Sequence, residues 1–220
     1  MIGTLHIVST PIGNLGDITL RAIETLKSVD LIAAEDTRTT RKLTTRFDIR
    51  TPLTSFYEHN KGTKADYLIK ALREGKNVAL VSEAGTPGIS DPGFSIIARA
   101  IKEDIPVTAI PGPSASIMAL VLSGKPTHKF VFEGFLSNKS GARRKRLEAL
   151  KKEERTIIFY ESPHRILKML KDLLEIMGDK EIAVARELTK KFEEVRRGRV
   201  SEILDYFNTK GVKGEFVVVV

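Results

Sequence analysis

The sequence contains no cysteine, and this absence removes several kinds of chemistry. Disulfide bonds, metal sites built on thiolates and a cysteine nucleophile are all excluded. A chain without cysteine suits a reducing compartment, so we expect a cytoplasmic protein. Residues 1–6 show no basic segment leading into an apolar one, and no apolar run approaches the roughly 20 residues of a membrane span. We therefore expect neither export nor insertion into a membrane.

The usual nucleotide-binding fingerprints are missing as well. Gly13 and Gly16 follow the first apolar run without the third glycine of the dinucleotide motif. Lys125 follows a glycine but precedes a proline, so it does not complete a phosphate-binding loop. His59 and His164 have too few companions for a metal site. The sequence argues against ATP, NAD and a bound metal.

Positive charge, in contrast, is plentiful. Lysine and arginine number 36 against 28 acidic residues, which gives a net charge of +8 and a sequence pI of about 9.6. Such a balance favours a polyanionic partner, with nucleic acid first among them. The alternative is a well-solvated surface of the kind that thermophilic proteins carry. Charge by itself does not decide between these readings.

Short apolar runs alternate with amphipathic stretches along the whole chain, which predicts an α/β fold. Strands are predicted at 5–9, 31–34, 77–81, 107–110, 130–132, 155–160, 181–185 and 215–220, and helices at 19–28, 37–47, 63–73, 94–102, 114–122, 140–154 and 163–177. Parallel strands joined by helical crossovers fold this pattern economically. The character of the sequence changes after residues 123–126, and a domain boundary placed near residues 111–114 predicts two domains, 1–112 and 113–220, with about five strands each.

Three turns rich in glycine and proline directly follow predicted strands. They occupy residues 9–17, 82–93 and 111–115. Ligands of open α/β sheets bind at the carboxyl ends of the strands, where such backbone can approach them closely. Each turn alone could be an ordinary connection, and Ser114 alone could be a simple helix cap. Together they predict one ligand site along one edge of one sheet.

Charged clusters stand near other strand ends, at residues 35–38, 57–60, 161–165 and 185–190. Acids, bases and RNA-contacting groups are useful at such places, although helix capping and surface pairing explain any single cluster equally well. A basic helix is predicted from residue 140, with Arg143, Arg144, Lys145 and Arg146 in succession. Consecutive basic residues wrap around a helix, so part of this run is solvated surface and part can grip phosphates.

The motifs taken together resemble those of a known family. They are Thr10-Pro-Ile-Gly-Asn14, Glu35-Asp-Thr-Arg38, Ser82-Glu-Ala-Gly-Thr-Pro87 with Ile89-Ser-Asp-Pro-Gly93, Pro111-Gly-Pro-Ser-Ala115, Glu161-Ser-Pro-His-Arg165 and Ala185-Arg-Glu187. In this order they resemble the tetrapyrrole methylase superfamily, and more narrowly its ribosomal RNA branch, which methylates the ribose 2′-oxygen of cytidine 1402 in 16S rRNA. One local departure is Glu83, where the family usually has aspartate.

The resemblance implies two α/β domains, the first with a mostly parallel sheet and the second with a mixed sheet. It also implies a homodimer, S-adenosylmethionine in a cleft between the domains, and 16S ribosomal RNA in the 30S subunit as partner. Carried over by motif, the residues implied for cofactor binding are Pro11, Ala84, Gly85, Thr86, Ile89, Ser114, Ala115, Tyr160, Glu161, Ala185, Arg186, Gly214 and Glu215.

Methyl transfer to a ribose hydroxyl needs alignment, exclusion of water, and a base or a nearby cation. The candidates for this role are Asp17, Asp36, Glu187 and Lys190. Candidates for RNA binding are Arg38, Arg143, Arg144, Lys145, Arg146 and Arg165, with Arg186 as a further phosphate clamp. Two rival functions remain: a tetrapyrrole C-methyltransferase on the same scaffold, and a noncatalytic RNA-binding or assembly protein. The basic helix and the Thr10–Asn14 motif favour RNA over a porphyrinoid.

Overall fold

A computed structural model describes residues 1–220 and divides them into two compact units, Met1–Ser114 and Ala115–Val220. The predicted boundary, between residues 112 and 113, lies two residues before the observed division. Each unit is built on a five-stranded sheet, and helices pack against it. The prediction of an α/β fold with a parallel first sheet and a mixed second sheet is confirmed.

The first unit alternates strands and helices throughout. Its elements are β1 (Leu5–Val8), α1 (Leu20–Ser28), β2 (Leu31–Ala34), α2 (Thr37–Arg46), β3 (Leu53–Ser55), α3 (Lys61–Arg73), β4 (Val78–Val81), α4 (Gly93–Lys102) and β5 (Val107–Ile110), with a 3₁₀ turn at Leu15–Asp17. The strands are all parallel, in the order β3-β2-β4-β1-β5. Both β2 and β4 are buried along their full length, which explains their unbroken apolar sequences.

The helices of the first unit cover both faces of its sheet. Residues of α1 and α2 pack with one set of strand side chains, and residues of α3 and α4 pack with the other set. Because parallel strands share one direction, the turns that follow β1, β2, β4 and β5 all leave the same edge. We call this edge the carboxyl edge of the first unit.

The second unit contains a mixed sheet. Its elements are α5 (Ala115–Ser123), β6 (Phe130–Phe135), α6 (Ser140–Leu150), β7 (Thr156–Glu161), α7 (Ile166–Met177), β8 (Glu181–Arg186), β9 (Glu194–Arg199), α8 (Val200–Lys210) and β10 (Phe216–Val219). The strand order is β6-β7-β10-β8-β9, and only β6 and β7 pair in parallel. None of the protein's eight helices is both long and apolar enough to span a lipid bilayer.

An interior ion pair joins α6 to α7. The guanidinium of Arg143 contacts Asp172 at 2.6 Å, and their side chains are only 6% and 10% exposed. Arg144 donates to the second oxygen of Asp172 at 2.7 Å and also to Glu175. Leu147 and Leu150 of α6 pack in the core of the unit beside Leu173. One carboxylate therefore binds two arginines at a helix-to-helix contact.

A second charged cluster, centred on Glu194, lies at the β9 edge of the sheet. Glu194 accepts hydrogen bonds from the Tyr206 hydroxyl, from Lys210 and from Arg196. Arg196 also lies over the Tyr206 ring, 3.8 Å from its centroid. Burial by itself would raise the pKa of Glu194, but these hydrogen bonds outweigh it and lower the pKa to about 2. The carboxylate is therefore held in its charged form.

We expect Glu194→Gln to lower the free energy of unfolding at pH 7 by about 1 to 3 kcal/mol, because these three donors and Arg186 lose a charged acceptor. A depressed carboxyl pKa stabilises the fold above its unfolded value of 4.5, and this contribution disappears as pH falls toward about 2. Urea unfolding from pH 7 to pH 2 should therefore show the variant approaching the wild type in acid. Glu181→Gln, at an exposed residue of β8 with no ion pair, is the control. A difference in the free energy of unfolding between variant and wild type that does not depend on pH would contradict this account.

Candidate functional site

Two turns at the carboxyl edge of the first unit are joined backbone to backbone. Thr10, two residues beyond β1, donates its N–H to the carbonyl of Gly85 at 2.9 Å, and Gly85 returns a bond to Thr10 at 3.1 Å. The hydroxyls of Ser9 and Thr86 lie 2.9 Å apart. The turn after β1 and the turn after β4 thus form one continuous surface.

The turn after β5 joins the same surface. Thr86 donates its hydroxyl to the carbonyl of Pro113 at 3.4 Å. Gly85 has φ +80°, a conformation that favours glycine, and a Cβ on it would also approach Pro113. A Cβ on Gly112 would come within 2.8 Å of the Ser9 Cβ, so the two turns pack too closely for a side chain there. The three turns singled out in the sequence therefore lie together.

Two carboxylates that belong to the quoted motifs, but were not among the predicted site residues, shape the turn after β4. Asp91 accepts backbone hydrogen bonds from Gly88 at 2.9 Å and Gly93 at 2.7 Å, which fixes the entry into α4. Glu35, at the end of β2, accepts the N–H of Glu83 at 3.0 Å. Burial raises the pKa of Glu35, and the nearby charges of Asp91 and Glu83 add to that effect. The Asp-Pro-Gly sequence before a predicted helix was the available signal for Asp91.

The two acids predicted for catalysis in this unit differ in how they are engaged. Asp36 caps α2 through the N–H of Arg38 and binds its guanidinium at 2.8 Å. These bonds lower the pKa of Asp36 to about 2. Asp17, in the 3₁₀ turn, keeps one buried carboxylate oxygen without any partner in the chain. Asp36 is therefore a weak proton acceptor, whereas Asp17 has a free oxygen.

In the second unit, the ends of β7 and β8 flank the start of β10. Val217 pairs with Tyr160 on one side and Ala185 on the other, and Phe216 pairs with Glu161 and Arg186. The predicted cofactor residues of these two strands therefore face each other across a single strand. The Tyr160 hydroxyl accepts the N–H of Ser116 at 3.2 Å, which ties the first turn of α5 to β7.

Glu161 and Arg186 are both held by neighbouring groups. Burial raises the pKa of Glu161, although the N–H of Ser162 and the guanidinium of Arg165 oppose that effect. Arg186 donates to the carbonyl of Lys213 at 2.7 Å and contacts Glu194 at 3.3 Å. Two of the predicted phosphate clamps, Arg165 and Arg186, are thus engaged with carboxylates or carbonyls inside the unit.

Beyond β8 lies a strained segment that carries three charged groups. Lys190 contacts Glu187 at 2.9 Å and Glu215 at 2.7 Å, and Glu187 also accepts the N–H of Glu215 at 3.0 Å. Glu187 and Thr189 have φ values of +50° and +67°, which are uncommon for residues with a side chain. A Cβ on Gly214 would lie 2.4 Å from the Glu187 side chain. We call Glu187, Lys190 and Glu215 the lysine cluster.

Electrostatics fixes the protonation of the lysine cluster. Burial disfavours charge on Lys190, but hydrogen bonds to Glu215 and Glu187 prevail and raise its pKa. Burial likewise works against the Glu187 carboxylate, and the bonds from Lys190 and the Glu215 N–H prevail and lower its pKa. The cluster therefore holds Lys190 in its ammonium form and Glu187 in its carboxylate form at neutral pH.

Each unit also contains a buried hydroxyl with no hydrogen-bond partner in the chain. Thr10 Oγ1 lies beside Gly85 in the first unit, and Thr189 Oγ1 lies within the lysine cluster segment of the second. Buried polar atoms are almost always paired, by protein, water or ligand. Of the other predicted cofactor residues, Pro11 is buried, Ser114 and Ala115 are half-buried, and Ala84 and Ile89 are exposed. These features fit a polar organic ligand with several hydrogen-bonding groups.

The arginines predicted to bind RNA on α6 are mostly neutralised within the second unit. Arg143 is buried against Asp172, so it cannot reach a phosphate without breaking that pair. Arg144 binds Asp172 and Glu175, and Arg146 binds Glu133 through two parallel bonds. Lys145 is exposed and has no ion pair. On α2 of the first unit, Arg38 is exposed but pairs with Asp36.

Comparisons with known proteins identify the family of this chain. The sequence model of the family of tetrapyrrole (corrin/porphyrin) methylases matches residues 4–204 of this chain. This chain belongs to that family. Because it is a family of methylases, the prediction of a methyltransferase with S-adenosylmethionine as its methyl donor is confirmed at the level of the family.

Relatives within the tetrapyrrole methylases are similar over nearly the whole chain. The ribosomal RNA small subunit methyltransferase I of Bacillus subtilis is 52% identical over 219 residues, covering 100% of this chain and 75% of that protein. The protein of the same name from Thermotoga maritima is 50% identical over 218 residues, covering 99% of this chain and 98% of that one. The prediction that the chain resembles the ribosomal RNA branch is confirmed.

Solved structures extend the likeness of fold. A diphthine synthase superimposes with a TM-score of 0.76 at 15% identity, covering 99% of this chain and 89% of that one. A uroporphyrin-III C-methyltransferase of Thermus thermophilus, complexed with S-adenyl homocysteine, gives a TM-score of 0.67 at 17% identity, covering 99% and 96%. At such low identity these structures support the fold of this tetrapyrrole methylase and nothing finer.

Proposed function

We propose that this protein transfers a methyl group from S-adenosylmethionine to the ribose 2′-oxygen of cytidine 1402 in 16S ribosomal RNA. The observation that carries the proposal is about 50% identity, over nearly the full chain, to proteins named ribosomal RNA small subunit methyltransferase I. The net charge of +8 supports an RNA substrate over a small tetrapyrrole. The homodimer and the assembled 30S subunit implied by the resemblance stay predictions, as does the cytoplasmic location expected from the absence of cysteine.

For the cofactor, we propose contacts in each unit through the surfaces described above. In the first unit these are the joined turns, with Pro11, Ala84, Gly85, Thr86, Ile89 and Ser114. In the second they are the strand ends and the lysine cluster segment, with Ala115, Tyr160, Glu161, Ala185, Arg186, Gly214 and Glu215. The unpaired hydroxyls of Thr10 and Thr189 support this assignment, because a ligand with its own donors and acceptors would satisfy them.

S-adenosylmethionine, when bound, supplies a methyl carbon activated by a positive sulfur. What the chain must supply is alignment of the ribose hydroxyl, exclusion of water, and stabilisation of the charge that develops on its oxygen. We assign that charge stabilisation to the ammonium of Lys190, and we assign Glu187 the task of positioning it. Asp17 is the candidate proton acceptor because one of its oxygens has no donor. Asp36 is unsuited, since its pKa is about 2.

The test uses the purified full chain with radiolabelled S-adenosylmethionine and three separate acceptors. These are 30S subunits from a strain that lacks the modification, naked 16S rRNA from the same strain, and uroporphyrinogen. We expect label in rRNA, and primer extension at low nucleotide concentration should map the methyl group to the ribose of cytidine 1402. Label in uroporphyrinogen alone would assign the tetrapyrrole activity. No transfer to any acceptor, together with no S-adenosylmethionine binding by calorimetry, would favour the noncatalytic alternative.

A further inference from the structure

Helices α2 and α6 both carry basic runs in sequence, but they differ in how many of their charges are paired. Within the run Arg143–Arg146 of α6, each of the three arginines is bound to a carboxylate of the same unit, which leaves Lys145 as the one unpaired cation. Helix α2, in contrast, contains no acidic residue between Thr37 and Arg46. Arg38 pairs with the capping Asp36, whereas Arg41, Lys42 and Arg46 form no ion pair. Unpaired positive charge is therefore concentrated on α2.

These residues lie on one face of α2. The positions 38, 41, 42, 45 and 46 follow the 3- and 4-residue spacing of a helix surface, and all five are exposed. The opposite face, with Thr40, Leu43 and Thr44, is buried against the sheet. At a rise of about 1.5 Å per residue, the exposed cations extend over roughly 12 Å. The result is a continuous basic face on a helix anchored by the buried side chains of Thr40, Leu43 and Thr44.

The location of this face links it to the candidate site. Helix α2 follows β2 after two residues, Glu35 and Asp36, so its first turn starts at the carboxyl edge of the first unit. Glu35 itself accepts the N–H of Glu83 in the turn after β4. Arg38 stands in the turn of α2 nearest that edge, and Arg41, Lys42 and Arg46 lead away from it along the helix. A polyanion bound along α2 would thus be guided to the carboxyl edge.

The chemistry of the face favours a nucleic acid backbone. Arginine and lysine bind phosphate oxygens through charged hydrogen bonds, and exposed Thr45 adds a hydroxyl donor. A helix that inserts into a lipid surface exposes large apolar side chains, but the single large aliphatic residue within α2, Leu43, is buried in the core. Charge complementarity without exposed apolar area is the signature expected for phosphate contacts.

We infer that the exposed face of α2, formed by Arg38, Arg41, Lys42 and Arg46, is the surface that grips the phosphate backbone of the RNA substrate. This inference rests on the proposed function, and it moves the main RNA contact from the arginine run of α6 to α2. The contact is sequence-independent, so it supplies affinity and orientation while the choice of nucleotide is made elsewhere.

The test compares three double variants that each remove two positive charges: Arg41→Gln/Lys42→Gln on α2, Lys139→Gln/Lys145→Gln at α6, and Lys76→Gln/Lys102→Gln as the matched control. The residues of the control are exposed and unpaired, and they lie in the first unit away from α2. Binding to 30S subunits and to a fluorescent RNA of the decoding region is measured as a function of salt concentration. Calorimetry with S-adenosylmethionine and circular dichroism verify that each variant is folded.

For the α2 variant we expect affinity for RNA to fall roughly tenfold near physiological salt. The slope of log K against log salt concentration should decrease by about 1.4 to 1.8, as expected for the loss of two phosphate contacts. KM for RNA should rise while kcat and cofactor affinity stay near the wild-type values. The control should match the wild type.

An α2 variant with the wild-type affinity and salt slope overturns the inference while leaving the proposed function intact. The same holds if only the α6 variant loses affinity, or if the α2 face instead binds vesicles rich in phosphatidylserine. A wild-type chain that neither methylates RNA nor binds it overturns the proposed function and this inference together. A wild-type chain that methylates RNA, combined with a weakened α2 variant, supports both.

Discussion

Replacing Asp172 by alanine is expected to lower the free energy of unfolding of the second unit by about 3 to 5 kcal/mol. The guanidinium of Arg143 is 6% exposed, and without Asp172 it would be a buried charge with no carboxylate partner. Arg144 would lose a bond as well but would keep Glu175. The measurement is urea unfolding at pH 7 followed by circular dichroism, with hydrogen exchange over α6 and α7 to locate the loss.

Two further variants separate the burial effect from simple loss of charge. Glu175→Gln removes a carboxylate from the same helix, but the side chains of Glu175 and Arg144 are 45% and 40% exposed, so we expect a cost below about 1 kcal/mol. The double variant Arg143→Met/Asp172→Leu replaces the pair by apolar groups and should recover most of the stability. If Asp172→Ala lowers the free energy of unfolding no more than Glu175→Gln does, the buried pair of Arg143 and Asp172 matters no more for stability than an exposed ion pair.

The second large effect concerns activity. Lys190→Met is expected to reduce kcat for rRNA methylation about 100-fold, because the ammonium that faces developing negative charge is removed. The pKa of Lys190 is raised by its bonds to Glu215 and Glu187, so the group stays charged below its usual value of 10.5 and loses its proton only at still higher pH. Between pH 6 and 9 the wild-type rate should show no inflection that depends on Lys190. A general base at this position would instead produce one.

Neighbouring residues provide the controls for that experiment. Lys191→Met removes an equal charge one residue later, where the ammonium lies over the exposed Phe192 ring and has no carboxylate partner, and it should keep nearly full activity. Lys190→Arg retains the charge and should restore part of the rate. Since Lys190 also bonds to Glu215, cofactor affinity is measured by calorimetry for each variant. A Lys190→Met enzyme within twofold of the wild-type kcat would remove Lys190 from the mechanism.

Apolar periodicity predicted the helices and strands that are regular and buried. Strands β2 and β4 are fully buried and read as unbroken apolar runs, and α1 begins at Leu20 directly after its capping Thr19. Three elements were not predicted. Strand β3 has only three residues, and β9 is an edge strand of charged residues whose pairing partner, β8, defines it. Helix α8 did show a signal, because Val200, Ile203 and Phe207 recur at helical spacing.

Helix boundaries depended on local contacts that a pattern does not reveal. The basic helix α6 was predicted to reach residue 154 but ends at Leu150, whose carbonyl accepts the N–H of Glu153 in a turn. Helix α7 was predicted from Pro163 but begins at Ile166, because the carbonyl of Ser162 holds a turn before it. In both places the sequence is compatible with a longer helix than the one that forms.

The candidate site was predictable to the extent that its turns follow parallel strands. The convergence of Thr10, Gly85 and Pro113 follows from that topology, and the structure brings them together. The pairing of the α6 arginines with carboxylates was not predictable, because Asp172 lies 29 residues from Arg143 and only folding brings them into contact. The strain at Glu187 and Thr189 was hidden for the same reason, since Gly214 and Glu215 come from a distant strand.

The position of β1 inside the sheet, between β4 and β5, has a consequence for synthesis on the ribosome. Leu5 of β1 is hydrogen-bonded in register with Val78 of β4 on one side and Val107 of β5 on the other. Strand β1 therefore has no partner in its sheet until those later segments have left the exit tunnel. Long-range parallel pairing of this kind is slow to form and leaves apolar strand surface exposed meanwhile. During translation the nascent chain must carry Leu5–Val8 unpaired until β4 has been made and paired on one side only until β5 follows, which makes this segment a natural client for a chaperone at the tunnel exit.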